Sequence, residues 1–412
     1  MNPQELFAPT LEAARSRIAA VRPAEYARSR NALEGAVSRL SPYITHGFVS
    51  LPEVLAGVAA RHRLELGHKF VFELGWREYF RHVWRHRGER ILRSLHEGPL
   101  REESYAPELA LDIRQARTGL AVVDQAVRAL YATGYLHNHA RMWLASYVVH
   151  LRKVHWRAGA DWMLAHLLDG DLASNHLSWQ WVAGTGSHKP YLFNADNVAR
   201  HAPPSWHCAG SAIDTSYENL EAIARSPRPM YAQPLAQGVD EPALCSQAPE
   251  GAWPQAAEVA DRHVWLIHPW ALGEPPPGLP AGCLRVAWWP TGHHAAWPWS
   301  ATRWSFVAAR MSTLATLRWQ GSREQLALAL AAARSVHTLA DEHVLGHLPP
   351  NVHVRPALRL FPEVDRPCAS FSAWWNQVTR GLRRLSDLPG LRALAEQGAA
   401  GPLFDAAFGE GG

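Results

Sequence analysis

DGDLASNHLSWQW, residues 169–181, contains two aspartates, one asparagine and two tryptophans within one short stretch. A helix of a globular protein buries one stripe of side chains, and only some of these residues can lie on that stripe. The packing of a single helix face therefore does not explain why carboxylates and indoles stand so close together. The stretch predicts a binding site, and the rest of the chain indicates which kind.

Length and composition limit the classes of protein that remain open. The chain has 412 residues, 47% of them hydrophobic, which is enough for two or three domains with packed cores. It has no run of about eighteen apolar residues, and charges interrupt its first residues. We therefore expect neither a membrane span nor a secretory signal, and predict a cytoplasmic monomer.

Cysteine usage argues against a cross-linked or metal-based fold. The four cysteines are far apart and form no C-x-x-C pair: Cys208, Cys245, Cys283 and Cys368. Without a secretory context, this spacing predicts reduced, structural thiols. We expect no metal site.

Charge is unevenly distributed along the chain. Residues 1–200 contain 25 Lys and Arg against 19 Asp and Glu, which leaves 16 against 18 for residues 201–412 out of totals of 41 and 37. The basic half is the one expected to face an anion. An arginine-rich solvated surface explains the same excess equally well, so nucleic acid becomes a candidate only if aromatic or polar readers accompany the charge.

The periodicity of apolar residues changes twice along the chain. Residues 1–200 place them at three- and four-residue spacing, as in GLAVVDQAVRALYATG (119–134), so this part is predicted to be helical, with a helix ending at Gly134. Proline, alanine and glycine then break every pattern. From 262, short apolar runs such as VWLIHPW (264–270) and LRVAWWP (284–290) alternate with helical segments, which predicts a parallel α/β domain.

Three further stretches place polar groups among large apolar ones. They are SRLSPYITHG (38–47), ELGWREYFRHVW (73–84) and GYLHNHARMWLAS (134–146). Each has an ordinary explanation when taken singly. Ser41 and Pro42 are typical of a helix start, Trp76 and Trp181 of core packing, and the aspartates of a surface or a helix cap.

Together, in their order and spacing, the four stretches resemble the FAD-binding domain of the photolyase/cryptochrome family, from about Tyr26 to Asn194. The resemblance implies an all-α domain that holds FAD in a folded form. It implies that residues of the first stretches bind the phosphates of FAD, that residues of the later ones contact the flavin, and that Asn175 faces the flavin N5 atom. The implied FAD-binding residues are Tyr26, Ser38, Arg39, Leu40, Ser41, Phe70, Arg77, Asn138, Arg141, Asp169, Asp171 and Asn175.

The resemblance also implies an electron-transfer chain. Trp179, nearest the flavin, and Trp156 match two of its members. The third tryptophan would fall near Glu103, where none occurs, and Tyr105 is the nearest aromatic residue. The end of the chain at the surface therefore stays open.

A second set of positions matches residues that contact damaged DNA in the family. Trp76 and Trp181 correspond to the indoles around a flipped lesion, and Glu73 to the carboxyl group on its base edge. The other implied contacts are Met142, Lys189 and Asn194. Relatives that repair the (6-4) photoproduct usually have histidines at the positions of Asn138 and Met142, so a cyclobutane pyrimidine dimer is the expected lesion.

The predicted fold is multidomain: an all-α photolyase-type FAD-binding domain followed by a smaller α/β Rossmann-like domain. We expect the first at 1–205, a Pro/Ala-rich linker at 206–261, the second at 262–395 and a flexible tail at 396–412. The family places its α/β domain first, so this order suggests a circular permutation; an unrelated α/β domain is the alternative. No G-x-G-x-x-G loop is visible in it, and an antenna chromophore stays unknown.

Three functions remain open at this point. The first is light-driven repair of UV lesions in DNA by a lyase that uses reduced FAD. The second is a cryptochrome-like blue-light photoreceptor without repair activity. The third is a flavoprotein or DNA-binding relic that does not use light. Retention of Glu73, Trp76 and Trp181 favours repair, whereas the absent third tryptophan favours divergence.

Overall fold

The structure is a computed structural model that describes residues 6–233 and 235–397. These residues form two compact units. Unit 1 contains Leu6, Ala24–Val37 and Phe80–Ala243, and unit 2 contains Phe7–Pro23, Ser38–Tyr79 and residues 244–397. The predicted tail lies largely outside the described residues, since its described part is the end of the last helix and Gln397.

Helices dominate the first half and alternate with strands in the second. The helices are α1 (Leu11–Ala19), α2 (Pro23–Ser29), α3 (Ser41–Thr45), α4 (Leu51–Ala59), α5 (Lys69–Arg87), α6 (Leu111–Arg114), α7 (Ala121–Thr133), α8 (Asn138–Ser146), α9 (Trp156–His166), α10 (Leu172–Ala183), α11 (Ala195–His201), α12 (Tyr217–Ala224), α13 (Ala256–Val259), α14 (Thr291–Ala296), α15 (Ala301–Leu314), α16 (Arg323–Leu330), α17 (Glu342–Leu345), α18 (Phe371–Val378) and α19 (Pro389–Glu396). The strands are β1 (Leu244–Cys245), β2 (His263–Ile267), β3 (Leu284–Pro290), β4 (Trp299–Ser300), β5 (Leu317–Gly321), β6 (Ser335–Leu339) and β7 (Val352–Arg355).

Unit 1 is helical, as the spacing of its apolar residues predicts. Glycines end two of its long helices: Gly134 follows α7 with φ 65° and Gly184 follows α10 with φ 77°. Both values lie in the left-handed region, which glycine adopts without steric cost. A π-helical turn, Tyr147–Leu151, continues α8. The core packs α7, α8, α9 and α10 around the buried indoles of Trp143, Trp156 and Trp179.

The predicted linker is not a free connection. Its residues up to Ala243 belong to unit 1 and include helix α12. The Met230 N–H donates to the Leu151 carbonyl at 2.8 Å, and the Val239 N–H donates to the Gln115 carbonyl at 2.8 Å. Backbone hydrogen bonds to distant segments thus hold a stretch that has no apolar periodicity of its own.

Unit 2 contains a five-stranded parallel sheet with the order β5-β3-β2-β6-β7. All five of its strands were predicted. Numbered along the chain, this order is 3-2-1-4-5, which is the order of the first five strands of a doubly wound Rossmann sheet. The parallel α/β prediction is therefore confirmed, while the permuted origin of this sheet stays a proposal.

Unit 2 also includes helices from the beginning of the chain, which the predicted boundary at residue 205 does not anticipate. The Leu272 N–H donates to the His46 carbonyl at 3.0 Å. The ring of Phe48 lies 5.4 Å from that of Phe306 on α15. Long-range aromatic packing therefore assigns α1, α3 and α4 to the sheet unit, and the division falls within α5, between Tyr79 and Phe80.

Candidate functional site

The predicted site residues are divided between the two units. Those of unit 1 are Tyr26, Asn138, Arg141, Met142, Trp156, Asp169, Asp171, Asn175, Trp179, Trp181, Lys189 and Asn194. Those of unit 2 are Ser38, Arg39, Leu40, Ser41, Phe70, Glu73, Trp76 and Arg77. Each set is described within its own unit.

Asp171 begins helix α10 and is 1% exposed. Its Oδ1 accepts a hydrogen bond from the Ser174 N–H at 2.8 Å, which satisfies one of the unpaired amides of the first turn. Its Oδ2 lies 2.5 Å from Nη2 of Arg81. A buried carboxylate needs such partners to stay ionised, so Asp171 is held as an anion in a defined orientation.

Asp169 forms a second buried pair two residues earlier. Nη2 of Arg141 donates to both of its carboxylate oxygens, at 2.9 and 2.8 Å. Nε of Arg141 donates to the Leu136 carbonyl at 2.9 Å, which fixes the guanidinium. Asp169 is 5% exposed, whereas the Arg141 side chain keeps 24% of its surface accessible.

Asn175 lies one turn into α10 and is 8% exposed. Its Nδ2 donates to the Ala160 carbonyl of α9 at 2.8 Å, so the amide is held between the two helices. This bond leaves the Oδ1 face of the amide as an acceptor. The contact between the two helices thus fixes the position of the carboxamide.

The donor set of unit 1 fits a flavin. An isoalloxazine ring offers acceptors at N1, O2, O4 and N5 and one donor at N3. The guanidiniums of Arg81 and Arg141 supply donors, and the buried carboxylates of Asp169 and Asp171 supply acceptors. Asn175 can supply either kind of group. Side chains from three separate segments are thus organised around the start of α10.

The two predicted electron-transfer tryptophans lie on neighbouring helices. Trp179 of α10 is 2% exposed, and its ring lies so close to Gly159 of α9 that an added Cβ would be 2.3 Å from it. Trp156, one turn before Gly159, is 2% exposed and donates through Nε1 to Ser94 Oγ at 3.0 Å. Both indoles are therefore enclosed in a low-dielectric core.

An aromatic path continues from Trp156, and a separate aromatic pair includes Trp162, later on α9. The ring of His155 lies 5.6 Å from Trp156 and 6.3 Å from Tyr105. On the other side of Gly159, Trp162 donates through Nε1 to Tyr131 Oη at 3.1 Å. The sequence interpretation considered Tyr105 and missed the Trp162–Tyr131 pair.

Helix α8 carries two predicted contacts near its start. Asn138 is exposed, and its Nδ2 lies 3.3 Å from Met142 Sδ, one turn later on the same helix. His137 caps the helix by accepting from the His139 N–H at 3.1 Å. His137 therefore has a structural role at the start of the helix.

The segment after α10 contains the remaining predicted DNA contacts. Trp181 is 39% exposed, and its ring lies 5.8 Å from Tyr191. Lys189 is exposed. Asn194 differs, because its Oδ1 accepts from the Asn197 N–H at 2.9 Å, its Nδ2 donates to the Thr215 carbonyl at 3.3 Å, and it is 9% exposed. Since both ends of this amide are bonded within the fold, we do not include Asn194 in the proposed DNA surface.

In unit 2, the predicted FAD residues lie on α3, α5 and the turn before α3. Arg39 has φ 50°, an uncommon value for a residue with a Cβ. Nη1 of Arg77 donates to Thr45 Oγ1 at 3.0 Å, which orients the guanidinium. Leu40 and Phe70 are buried, at 2% and 3% exposure.

Trp76 stacks on a residue from the end of the chain. Its ring lies 4.0 Å from that of Phe371, with 9° between the planes. Glu78, half a turn later, accepts from the Leu360 N–H and from the Phe361 N–H at 3.1 Å. Glu73 pairs with Lys69 at 3.0 Å. One face of Trp76 is thus covered within unit 2, while the side chain stays partly exposed.

Two further residues of the site were missed by sequence reasoning. Arg81 lies one turn after Arg77 on α5, so its i+4 spacing was an available signal. Phe371 was not among the predicted site residues. No signal in the sequence connects Phe371 with Trp76, because 295 positions separate them and only the fold brings them together.

Comparison with known proteins confirms the resemblance to the photolyase/cryptochrome family. Residues 70–205 match the family model described as "FAD binding domain of DNA photolyase". This stretch includes the Arg81–Asp171 and Arg141–Asp169 pairs as well as Trp156 and Trp179. This stretch is therefore similar to a flavin-binding domain, and the chemistry of its buried groups fits a flavin.

Curated relatives match part of the chain. A deoxyribodipyrimidine photo-lyase from Streptomyces griseus is 38% identical over 40% of this chain and 36% of its own length. A deoxyribodipyrimidine photo-lyase from Thermus thermophilus is 37% identical over 43% of this chain and 44% of its own length. A cryptochrome DASH from Gloeobacter violaceus is 33% identical over 39% of this chain and 34% of its own length. The chain therefore spans less than half of the length of these relatives.

Solved structures give a similar picture. A Synechocystis cryptochrome is 28% identical, with a TM-score of 0.41, over 46% of this chain and 43% of its own. An archaeal photolyase from Sulfolobus tokodaii with two FAD molecules is 24% identical, with a TM-score of 0.43, over 57% and 54%.

Two other kinds of site were searched for in the described residues. No helix there is both long and apolar enough for a membrane crossing. No group of three or more His, Cys, Asp or Glu side chains in residues 6–233 and 235–397 is arranged to hold a metal ion. The four thiols are free.

Proposed function

We propose that the protein is a light-driven DNA repair flavoprotein that splits cyclobutane pyrimidine dimers. The observation that carries this proposal is the pair of buried Arg–Asp contacts at the start of α10, within the segment that matches a FAD-binding domain. Relatives named deoxyribodipyrimidine photo-lyase support a photolyase-like lyase. FAD, when bound, would supply light absorption and the electron transferred to the lesion.

The residues of unit 1 would hold the flavin and tune it through fixed dipoles. As the family resemblance implies, Asp169 and Asp171 would accept hydrogen bonds from the ring edge and the ribityl chain, and Arg141 and Asn138 would lie against the ring. Asn175 would face N5. Because each carboxylate is already ion-paired in the protein, binding requires little reorganisation of charge.

The tryptophans would feed electrons to the flavin before repair begins. Trp179 is the inner member and Trp156 the next. Their burial excludes water from the path, which lowers the reorganisation that each electron step requires. The outer step has two candidate exits, through His155 to Tyr105 or through Trp162 to Tyr131.

Within unit 1, the candidates for lesion recognition are the exposed indole of Trp181 and Met142. Within unit 2, they are the partly exposed indole of Trp76 and the Glu73 carboxylate. Aromatic faces stack on a flipped base and are tolerant of its sequence context. Lys189 would contact phosphate. DNA carrying UV lesions is the proposed partner.

The second candidate is a cryptochrome-like photoreceptor without repair activity. Two observations favour it: the similarity to a cryptochrome DASH, and the stacking of Phe371 on one face of Trp76. In that case the residues of unit 1 hold FAD as before, but no lesion is bound.

A repair assay decides between the two. The purified protein, reduced under anaerobic conditions, is mixed with a dimer-containing oligonucleotide in blue light and in darkness. Loss of dimers only in the light supports repair; equal dimer content in both would remove it. The Asp171→Ala variant should lose FAD, and retention of one FAD per chain by that variant would contradict the assignment of the flavin site.

A further inference from the structure

Four side chains form a row across the parallel sheet of unit 2. Arg285 of β3 is paired with Trp265 of β2, Trp265 with His337 of β6, and His337 with His353 of β7. Residues paired directly across neighbouring strands point to the same face of a sheet. With strands about 4.8 Å apart, this row is about 14 Å long.

More cationic groups surround the row. The guanidinium carbon of Arg355 lies 6.0 Å from the ring centroid of Trp265. Arg285, Arg355 and Arg262 all act on Cys283: burial, the larger effect, raises the pKa of its thiol, and the three guanidiniums oppose that rise. The three guanidiniums therefore all lie in the surroundings of the Cys283 thiol.

The imidazoles belong to the same cluster. The rings of His337 and His353 are 5.1 Å apart and nearly parallel, at 28°. Burial lowers the pKa of His337, and the positive charge of Arg355 together with His353 and His263 lowers it further. We call the six residues Arg262, His263, Arg285, His337, His353 and Arg355 the basic face.

Carboxylates do not neutralise the basic face. Among the described residues, none of its three arginines forms an ion pair, whereas Arg334 pairs with Asp261 at 2.9 Å and Arg318 with Glu250 at 3.5 Å. Uncompensated guanidiniums that lie close together repel one another. An anion at this face would relieve the repulsion.

In the described chain, no helix lies between β2 and β3 to cover the amino end of this face, although Trp265, in the middle of the row, is only 3% exposed. In doubly wound sheets, helical crossovers cover both faces. Here residues 268–283, which connect β2 to β3, contain no helix, although all of them are described. Trp289, four residues after Arg285 and so on the same face, contacts Trp304 of α15 at 5.1 Å. Helix α15 thus covers the carboxyl end of this face, and Arg262, Arg285 and His353 stay exposed at the amino end.

We propose that the basic face is a second DNA-contact surface, on which Arg262, Arg285 and Arg355 bind backbone phosphates. The proposal rests on the proposed function only in taking DNA as the polyanion. The planar fork of arginine suits phosphate oxygens. A row about 14 Å long can span several successive phosphates of one strand, which follow one another at about 3.4 Å along the duplex axis, whereas a compact anion would reach only part of it.

Phosphate contacts carry no sequence or lesion information. The basic face therefore contributes equally to damaged and undamaged DNA. The summed charge of residues 201–412 does not reveal the basic face. Its residues come from four separate strands, and acidic residues elsewhere cancel their charge in the sum.

The test measures binding of a fluorescein-labelled duplex, with and without one cyclobutane dimer, to the full-length protein at several salt concentrations. The Arg285→Gln/Arg355→Gln variant should bind both duplexes about tenfold or more weakly, because charge-assisted hydrogen bonds are lost. Its salt slope should fall by about 2, one for each phosphate contact. The lesion preference, as a ratio of affinities, should stay unchanged.

The matched control is Arg225→Gln/Arg392→Gln, which removes the same charge from two exposed, ion-paired arginines. It should change affinity less than about twofold, since paired surface charges contribute little. Circular dichroism melts verify that both variants fold. Equal losses in variant and control would overturn the proposal, as would unchanged affinity of the basic-face variant.

Two further outcomes are informative. If the variant loses only its lesion preference, the arginines contact the lesion and the proposal of a separate DNA surface is overturned. If stoichiometric pyrophosphate fully displaces DNA, the basic face is a small-anion site instead. The wild-type protein could also show no lesion preference while the basic-face variant still binds DNA more weakly. That result would contradict the repair proposal but support the DNA-contact role of the basic face.

Discussion

Single ion pairs organise the start of α10. Asp171 is buried and has two structural tasks, since it caps the helix and neutralises Arg81. Removing the arginine leaves the carboxylate buried without its counter-charge, which is costlier than losing an exposed pair.

We predict that Arg81→Met lowers the free energy of unfolding of unit 1 by about 3 kcal/mol and lowers the FAD content per chain. Urea unfolding followed by tryptophan fluorescence, and flavin absorbance relative to protein, measure the two effects. Arg87→Met, an exposed position on the same helix, is the control. Equal stability of both variants would contradict a buried pair.

The inner tryptophan gives a second prediction at this scale. Trp179→Phe should abolish photoreduction of oxidised FAD, because phenylalanine is far harder to oxidise, while repair by chemically reduced enzyme should stay nearly intact. Flavin absorbance under blue light measures the first and dimer loss the second. Undiminished photoreduction would mean that electrons arrive by another route.

The same measurement separates the two candidate exits. Tyr105→Phe should slow photoreduction if the outer step runs through His155, and Tyr131→Phe if it runs through Trp162. A tyrosyl signature in transient absorption, absent from one variant and kept in the other, identifies the exit.

At the scale of elements, the contact between α9 and α10 depends on a missing side chain. An alanine Cβ at Gly159 would lie 2.3 to 2.4 Å from ring atoms of Trp179, and an aromatic ring enclosed in a core cannot move away cheaply. Overpacking of this kind costs about 1–3 kcal/mol.

We therefore expect Gly159→Ala to lower the thermal midpoint by several degrees and to perturb photoreduction, since the ring of Trp179 must shift. Gly67→Ala, where an added Cβ meets nothing within 4 Å, should leave both unchanged. Differential scanning calorimetry checks the first effect. A Gly159→Ala protein as stable as the wild type would show that the helices separate without cost.

The π-helical turn after α8 holds a histidine that must stay neutral. His150 is fully buried, its Nε2 lies 2.8 Å from the Val182 carbonyl, and burial lowers its pKa to about 4. Unfolded histidine has a pKa of about 6.5, so the unfolded state binds the proton more readily. The contribution of the neutral His150 imidazole to stability is therefore present above pH 6.5 and is lost as the pH falls towards 4.

We predict that His150→Gln flattens the decline of unfolding free energy between pH 6.5 and 4, by up to about 3 kcal/mol over the interval, because the titrating group is gone. Denaturant titrations across this range measure it. His188→Gln, an exposed histidine of the same unit, should leave the slope unchanged. Identical slopes for wild type and His150→Gln would contradict a neutral buried imidazole.

At the scale of the whole molecule, DNA affinity and lesion preference should separate by residue. Trp181→Ala should cost about 1–3 kcal/mol of lesion binding through lost stacking, with little change for undamaged DNA. Because Trp181 is 39% exposed, its removal should hardly affect stability. Trp76→Ala should lose lesion binding too, but also stability, since the stack with Phe371 is lost.

Lys189→Ala should weaken both DNAs alike, as a phosphate contact does, and reduce the salt slope by about 1. Titrations of damaged and undamaged duplexes at two salt concentrations separate these effects. Equal affinity of the wild-type protein for both duplexes would end the repair hypothesis, even if FAD and photoreduction were confirmed.

Local patterns determined much of this protein. The spacing of apolar residues in 119–134 and the alternation after 262 predicted α7 and the five parallel strands, because helix and strand periods depend on near neighbours. Asp171 and Trp179 lie in one short stretch, so this stretch could be recognised as a candidate binding site from the sequence.

Tertiary structure decided what depends on contacts between distant segments. It pairs Arg81 with Asp171 and stacks Phe371 on Trp76. It also packs the apparent linker onto unit 1 and places α1, α3 and α4 in the sheet unit. The register of four separately encoded strands placed Arg285, His337 and His353 in one row. Sequence spacing carries no information about such contacts, because burial, long-range packing and strand pairing select them only when the whole chain is folded.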